Sequence, residues 1–245
     1  MKSNTRDKLA FASKAVYYDP DPNTKSINAP LYLSNNFQYD EEIYQNIVKG
    51  ARITENIYGR CGNPNETLLQ EQVALLENAD GCLALGSGMA AVATTCLALL
   101  RPGDHIVSDW TTYSSTHEMF DHRLTDFGIE TTFVDCNDIE AVEAAITKNT
   151  KVVYYETIAN PNMRVTAIPP LVKLAHDNNL LVICDNTFAS PYVMRPLDWG
   201  VDIVVESATK FMGGHNDVLG GIIAIKQTNL PDDFLHDLRL SLIHI

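Results

Sequence analysis

The chain has 245 residues, enough for one large domain with a sizeable core, and its 45% hydrophobic content is that of an ordinary globular protein. Its 31 acidic against 18 basic residues give a formal net charge of -13, which excludes a general affinity for nucleic-acid backbones or anionic membranes and confines any phosphate recognition to a local site. The five cysteines (Cys61, Cys82, Cys96, Cys136, Cys184) show no metal-ligand spacing, and the sequence has no apolar leader and no run of membrane-spanning length, so the expectation is buried thiols, no metal and a cytoplasmic protein.

Residues 1–56 read as an irregular arm, with a turn-forming cluster at Asp19-Pro20-Asp21-Pro22-Asn23 and little periodicity before Glu41. Such an arm is expected to pack on something else, with another subunit as the candidate. Residues 57–245 read as a single α/β domain. A turn over Tyr58 to Pro64 leads into a helix, with Asn63 as cap, Pro64 at the first position and Leu69, Val73 and Leu76 on one face. From Gly81 onward, short apolar runs alternate with helical segments. Strands are predicted at 81–85, 105–107, 131–134, 152–155, 180–184, 202–205 and 222–225. Helices are predicted at 89–100, 115–125, 139–146 and from Pro169 to about His176. This alternation predicts a mostly parallel seven-stranded sheet flanked by helices. A last helix starts near Asp232, and the chain stops at Ile245 without a capping signal, which suggests a C-terminal truncation.

Three stretches carry chemistry. Gly86-Ser87-Gly88-Met89-Ala90-Ala91 joins a strand to a helix, and its small residues let backbone N–H groups approach a phosphate. It also satisfies the G-x-G-x-x-A pattern of dinucleotide sites, and Asp109 ends the next strand, so a nicotinamide-dependent dehydrogenase is one reading. Asp185 ends the strand before Asn186-Thr187-Phe188, where ligands of such sheets bind. Ser207-Ala208-Thr209-Lys210 follows another strand end and precedes the glycine-rich run Gly213 to Gly221, presenting an amine between two hydroxyls. A lysine, a carboxylate and a phosphate turn at one sheet edge suit pyridoxal 5'-phosphate: the amine forms a Schiff base, and the carboxylate keeps the ring nitrogen protonated.

Ser207-Ala208-Thr209-Lys210 with Gly214-His215-x-Asp217-Val218-x-Gly220-Gly221 resembles the lysine motif of the Cys/Met-metabolism, or trans-sulfuration, family of pyridoxal-phosphate enzymes. The resemblance runs from about residue 14 to 226 and implies the fold-type I transferase-like architecture. It implies that Tyr58 and Arg60 reach the cofactor phosphate of a neighbouring subunit, so that the protein is a homodimer or homotetramer with a shared site. Gly88 and Met89, in the Ser87-Gly88-Met89 turn, would offer N–H groups to the phosphate, and Ser207 and Thr209 hydroxyls. Tyr113 would stack on the pyridine ring, and Asn160, in the run Glu156 to Pro161, would contact its 3-hydroxyl. Asp185, in Asp185-Asn186-Thr187, would hold the ring nitrogen, with Thr187 also at the cofactor, and Lys210 would be the Schiff-base lysine and then the general base.

The activity implied is C–S cleavage by γ-elimination on a sulfur amino acid, with γ-replacement on a homoserine ester as the alternative. A non-catalytic, dimerising fragment is a further reading, motivated by the abrupt end. The sequence departs from the family after Tyr113, where Ser114-Ser115-Thr116 stands in place of the usual Gly, then Gly or Cys, then Thr. The family's carboxyl-terminal domain, which supplies an arginine for the substrate carboxylate, has no counterpart in the sequence.

Overall fold

Strands buried on both faces must be apolar throughout, and that requirement orders the fold. The computed structural model describes residues 8–21, 24–49, 56–59 and 62–244. Seven strands form one sheet in the order β1-β7-β6-β5-β4-β2-β3: β1 Gly81–Leu85, β2 His105–Asp109, β3 Glu130–Val134, β4 Thr150–Glu156, β5 Leu181–Asp185, β6 Ile203–Glu206 and β7 Gly221–Ile225. Neighbours are parallel except at β7, which runs antiparallel to both β1 and β6. All the expected strands are present, shifted by a residue or two at their ends.

Alternation along each strand feeds two cores. Val153 and Tyr155 of β4, Val182 and Cys184 of β5 and Val204 of β6 pack with Val73 of helix α3 (Pro64–Glu77), Val142 of α7 (Ile139–Ala145) and Leu171, Val172 and Ala175 of α8 (Ile168–Asp177). On the other face, Val152, Tyr154, Ile183, Ile203 and Val205 pack with Ala91, Val92 and Cys96 of α4 (Gly88–Leu99) and with Leu238 of α10 (Phe234–His244). Each such Val, Leu or Ile side chain contributes roughly 1.5–3 kcal/mol on burial.

Helix starts follow the residues that signal them. The Asn63 side chain accepts from Asn65 N at 2.9 Å before α3, Ser87 from Ala90 N at 3.1 Å before α4, and Asp138 from Ala141 N at 3.1 Å before α7. Helix α3 ends at Asn78 in the left-handed region, φ 55°. The segment predicted as one helix over 115–125 is interrupted: α5 (Ser114–Glu118) passes into a π-helical turn over Met119–Arg123 and then α6 (Leu124–Asp126), with Phe120 and Leu124 buried. A short helix, α9 (Ser190–Val193), follows β5.

The arm is more regular than the sequence suggested. It contains α1 (Phe11–Val16) and α2 (Glu41–Val48), the latter capped by Asp40, which accepts from Ile43 N at 3.0 Å. Neither helix buries a residue, although Ile43, Tyr44, Ile47 and Val48 of α2 recur at helical spacing. Phe11 meets Tyr192 edge to face at 5.4 Å, and the Gln72 amide of α3 donates to the Lys14 carbonyl. Cys82, Cys96, Cys136 and Cys184 are buried and free, as expected, while Cys61 lies outside the described residues. Among the described residues no helix is long and apolar enough to cross a membrane.

Candidate active site

Because six strands point the same way, their carboxyl ends share one edge, and the residues just beyond those ends line an open cavity of about 230 Å³. Into it come Ser87, Gly88 and Met89 after β1, Tyr113 after β2, Glu156 and Asn160 at and after β4, Asp185 and Thr187 at and after β5, and Ser207, Thr209 and Lys210 after β6.

One wall is built for an anion. As the first residues of α4, Gly88 and Met89 have N–H groups with no carbonyl four residues back within the helix, and the helix dipole adds positive potential there. The turn after β6 presses against them: a Cβ on Gly88 would lie 2.7 Å from Ser207 Cβ, and one on Gly221 only 1.9 Å from the Ser87 carbonyl oxygen. Only glycines allow this approach, which brings the Ser207 hydroxyl beside the helix start. Thr187 Oγ1 accepts from Ser207 N at 2.8 Å, and Thr209 Oγ1 accepts from Gly220 N at 3.1 Å, so both sides of the turn are fixed.

The floor is acidic. Asp185 Oδ1 accepts from Thr187 N at 3.0 Å, and burial raises the Asp185 pKa above the ordinary carboxylate value despite that bond. Beside it, Glu156 Oε1 accepts from Tyr113 N and Oε2 from Asn160 N, the latter at 3.1 Å. Burial first, and the Asp185 charge next, push Glu156 up to about 8. A buried carboxyl, Glu156, and a part-buried one, Asp185, facing one cavity create a demand for a cation, and a protonated aromatic nitrogen meets it. Lys210 stands on the turn between β6 and β7, its N–H donating to Ser207 O at 3.1 Å, and Tyr113, 42% exposed, offers a flat face at the cavity rim.

Ten of the twelve expected site residues therefore gather around one cavity. Tyr58 does not line it. That residue pairs with Asn36 in an isolated antiparallel bridge and is 43% exposed. Arg60 lies outside the described residues. The sequence reading assigned no role to Glu156, although its position at the carboxyl end of β4 is the signal that marked Asp185. Thr116, Ile158, Phe188 and Leu219 also line the cavity without having been singled out.

The dehydrogenase reading does not survive the geometry. β1 is an edge strand of the sheet, away from a central crossover, and Asp109 is 2% exposed, spending its carboxylate on Thr111 and on Cys136 N at 3.0 Å. Asp109 is therefore not free to hold a nucleotide ribose at that strand end.

An anion cradle, an acidic floor, an aromatic face and a lysine amine around one cavity define the site of a pyridoxal-phosphate enzyme: the donor set matches a phosphate, a basic ring and an aldehyde in turn. The chain belongs to the Cys/Met metabolism PLP-dependent enzyme family, whose model matches residues 13–238. It is 45% identical over 199 residues to an L-methionine gamma-lyase of Fusobacterium nucleatum, covering 81% of this chain and 50% of that protein. It is 48% identical over 173 residues to the cystathionine beta-lyase MetC of Bacillus subtilis, covering 71% and 44%. Among solved structures, cystathionine gamma-lyase from Lactobacillus plantarum complexed with L-serine superposes with a TM-score of 0.84 at 36% identity, covering 96% of this chain and 58% of that one. The chain thus spans about half the length of the curated relatives it matches.

Proposed function

We propose that this chain carries the cofactor site of a pyridoxal 5'-phosphate-dependent C–S lyase that acts by γ-elimination on a sulfur amino acid. The observation that carries this reading is the convergence of Lys210, Asp185 and the start of α4 on one cavity. The identity of 45% to one L-methionine gamma-lyase, and of 39% to another from Treponema denticola, favours elimination over replacement.

When bound, the cofactor supplies an electron sink that lowers the barrier to breaking bonds at the substrate α-carbon. Gly88 and Met89 offer N–H groups, and Ser207 and Thr209 hydroxyls, to its phosphate. Asp185, held by Thr187, keeps a proton on the ring nitrogen, and Tyr113 covers one ring face and excludes water from it. Asn160 donates to the ring 3-hydroxyl oxygen. Lys210 would be the covalent anchor, and its amine would move protons at the substrate carbon as general base. The reaction consumes water and breaks the bond between Cγ and sulfur, yielding a 2-oxo acid, ammonia and a thiol. Tyr58 and Arg60 serve the phosphate of a second copy of the chain, which makes the active form at least a dimer, with residues 1–56 as the arm and 57–245 as the cofactor domain.

Purified protein supplied with pyridoxal 5'-phosphate is assayed with methionine, with cystathionine, and with O-acetylhomoserine plus sulfide. Release of 2-oxo acid and thiol from methionine or cystathionine is expected, and a clear preference for O-acetylhomoserine with sulfide would replace this reading by γ-replacement.

A further inference from the structure

Behind the cavity floor lies a pair of carboxyls that the chemistry above does not use. Glu77 is the last residue of α3 and Glu206 the last of β6; they are 0% and 2% exposed. The two side chains meet each other, and both are joined to Asn186, whose Nδ2 donates to Glu77 Oε1 at 3.3 Å and to Glu206 Oε1 at 3.1 Å. That amide also donates to the Met194 carbonyl at 2.9 Å, while its Oδ1 accepts from Thr157 Oγ1 at 2.8 Å. Asn186 is thereby filled, and it has nothing further to give. The remaining oxygens, Glu77 Oε2 and Glu206 Oε2, are buried with no partner among the described residues.

Two ionised carboxylates in contact, each with an orphaned oxygen, are unstable in a buried site. One proton removes both faults, because it turns two acceptors into an O–H···O⁻ bond and leaves a single charge. Glu77 also sits at the carboxyl end of α3, where the helix dipole opposes negative charge. Around the pair, the Arg195 charge offsets part of that on Glu77, whereas the Asp198 charge at Glu77 and the Asp185 charge at Glu206 add to it. Cys82 of β1 stays a thiol, held so by burial and then by the Glu206 and Glu77 charges.

We infer that Glu77 and Glu206 hold one proton between them and act as a positioning pair, fixing Asn186 and with it the ends of β5 and β6 that present Asp185 and Ser207 to the cavity. The positioning role rests on the functional reading above; the shared proton does not. Burial raises both groups, Glu77 to about 7, so the pair keeps a proton that the unfolded chain releases near its ordinary carboxyl value of 4.5. Stability from that proton is complete below the unfolded value and is lost as pH rises through the folded one.

Glu206→Gln replaces the shared proton by an amide N–H that no longer titrates. Thermal unfolding of the purified chain and of this variant, compared at about pH 5 and about pH 8, should show the variant gaining about 5 °C on the wild type across that interval. Glu77→Gln, at the other partner, repeats the test should the first variant fold poorly. Parallel curves overturn the shared proton. For the positioning role, Glu206→Leu should weaken pyridoxal 5'-phosphate retention about tenfold while Glu206→Gln keeps it within about twofold; equal retention in both variants overturns it. If the wild-type chain takes up no pyridoxal 5'-phosphate, the functional reading falls, and the unfolding comparison still decides the shared proton.

Discussion

Glu156 shows how one side chain ties the site together. Its two oxygens accept the N–H groups of Tyr113 and Asn160, so a single carboxyl sets both the aromatic face and the amide expected at the ring. Its pKa, raised from 4.5 to about 8, gives the sign of a pH effect: the stability it contributes is present below 4.5 and lost as pH rises through about 8. The cofactor-free chain should therefore unfold at lower temperature at about pH 9 than at about pH 6, and Glu156→Gln should flatten that slope. The Gln variant should also lose about 1–3 kcal/mol at the lower pH, because one amide N–H would face a backbone donor. A slope unchanged by the substitution contradicts the assignment. The placing of Asp185 and Lys210 at the cavity was legible in the sequence, because Asp185 directly follows an apolar strand run and Lys210 stands on the short turn after another. The role of Glu156 was not, since its partners are backbone groups, one of them 43 positions away. The Glu77–Glu206 pair was hidden because it is made by the end of a helix meeting the end of a strand 129 positions on.

At the scale of elements, the phosphate turn depends on two close approaches that no strand or helix propensity reveals. The motif Gly86-Ser87-Gly88 treats its glycines unequally: a Cβ on Gly86 meets nothing within 4 Å, whereas one on Gly88 meets Ser207 at 2.7 Å. Gly86→Ala should leave pyridoxal 5'-phosphate affinity and stability nearly unchanged. Gly88→Ala should cost about 1–3 kcal/mol of stability and weaken cofactor binding, measured by denaturant unfolding and by titration followed by absorbance. Gly221→Ala, whose Cβ would strike the Ser87 carbonyl at 1.9 Å, should be worse than either, because backbone rather than a side chain must move. The strands themselves were readable to within a residue or two, since burial on both faces demands runs such as Ile203-Val204-Val205. The π-helical turn at Met119–Arg123 was not, because its hydrogen-bond shift leaves the apolar spacing of Phe120 and Leu124 helical in appearance.

For the whole molecule, the sheet brings motifs more than a hundred residues apart to one edge, but the phosphate site in the proposed reading is completed by a second copy. The arm carries exposed apolar side chains, Val16 at 85%, Leu31 at 76% and Leu33 at 88%, which gain from being covered. Arg60→Ala should weaken cofactor retention by roughly 1.5–3 kcal/mol, the scale of a charge-assisted hydrogen bond, and retention should fall on dilution into the monomer range. The arm's helices escaped sequence reading because they are short: α1 buries no residue, and the apolar period of Ile43, Tyr44, Ile47 and Val48 in α2 spans only eight residues without burying any of them. The central claim is that Lys210 anchors pyridoxal 5'-phosphate covalently. Reduction of the loaded chain with borohydride, followed by proteolysis and mass spectrometry, should place a single pyridoxyl group on the peptide containing Lys210 and none on Lys210→Ala; a label elsewhere, or none on the wild type, would contradict it.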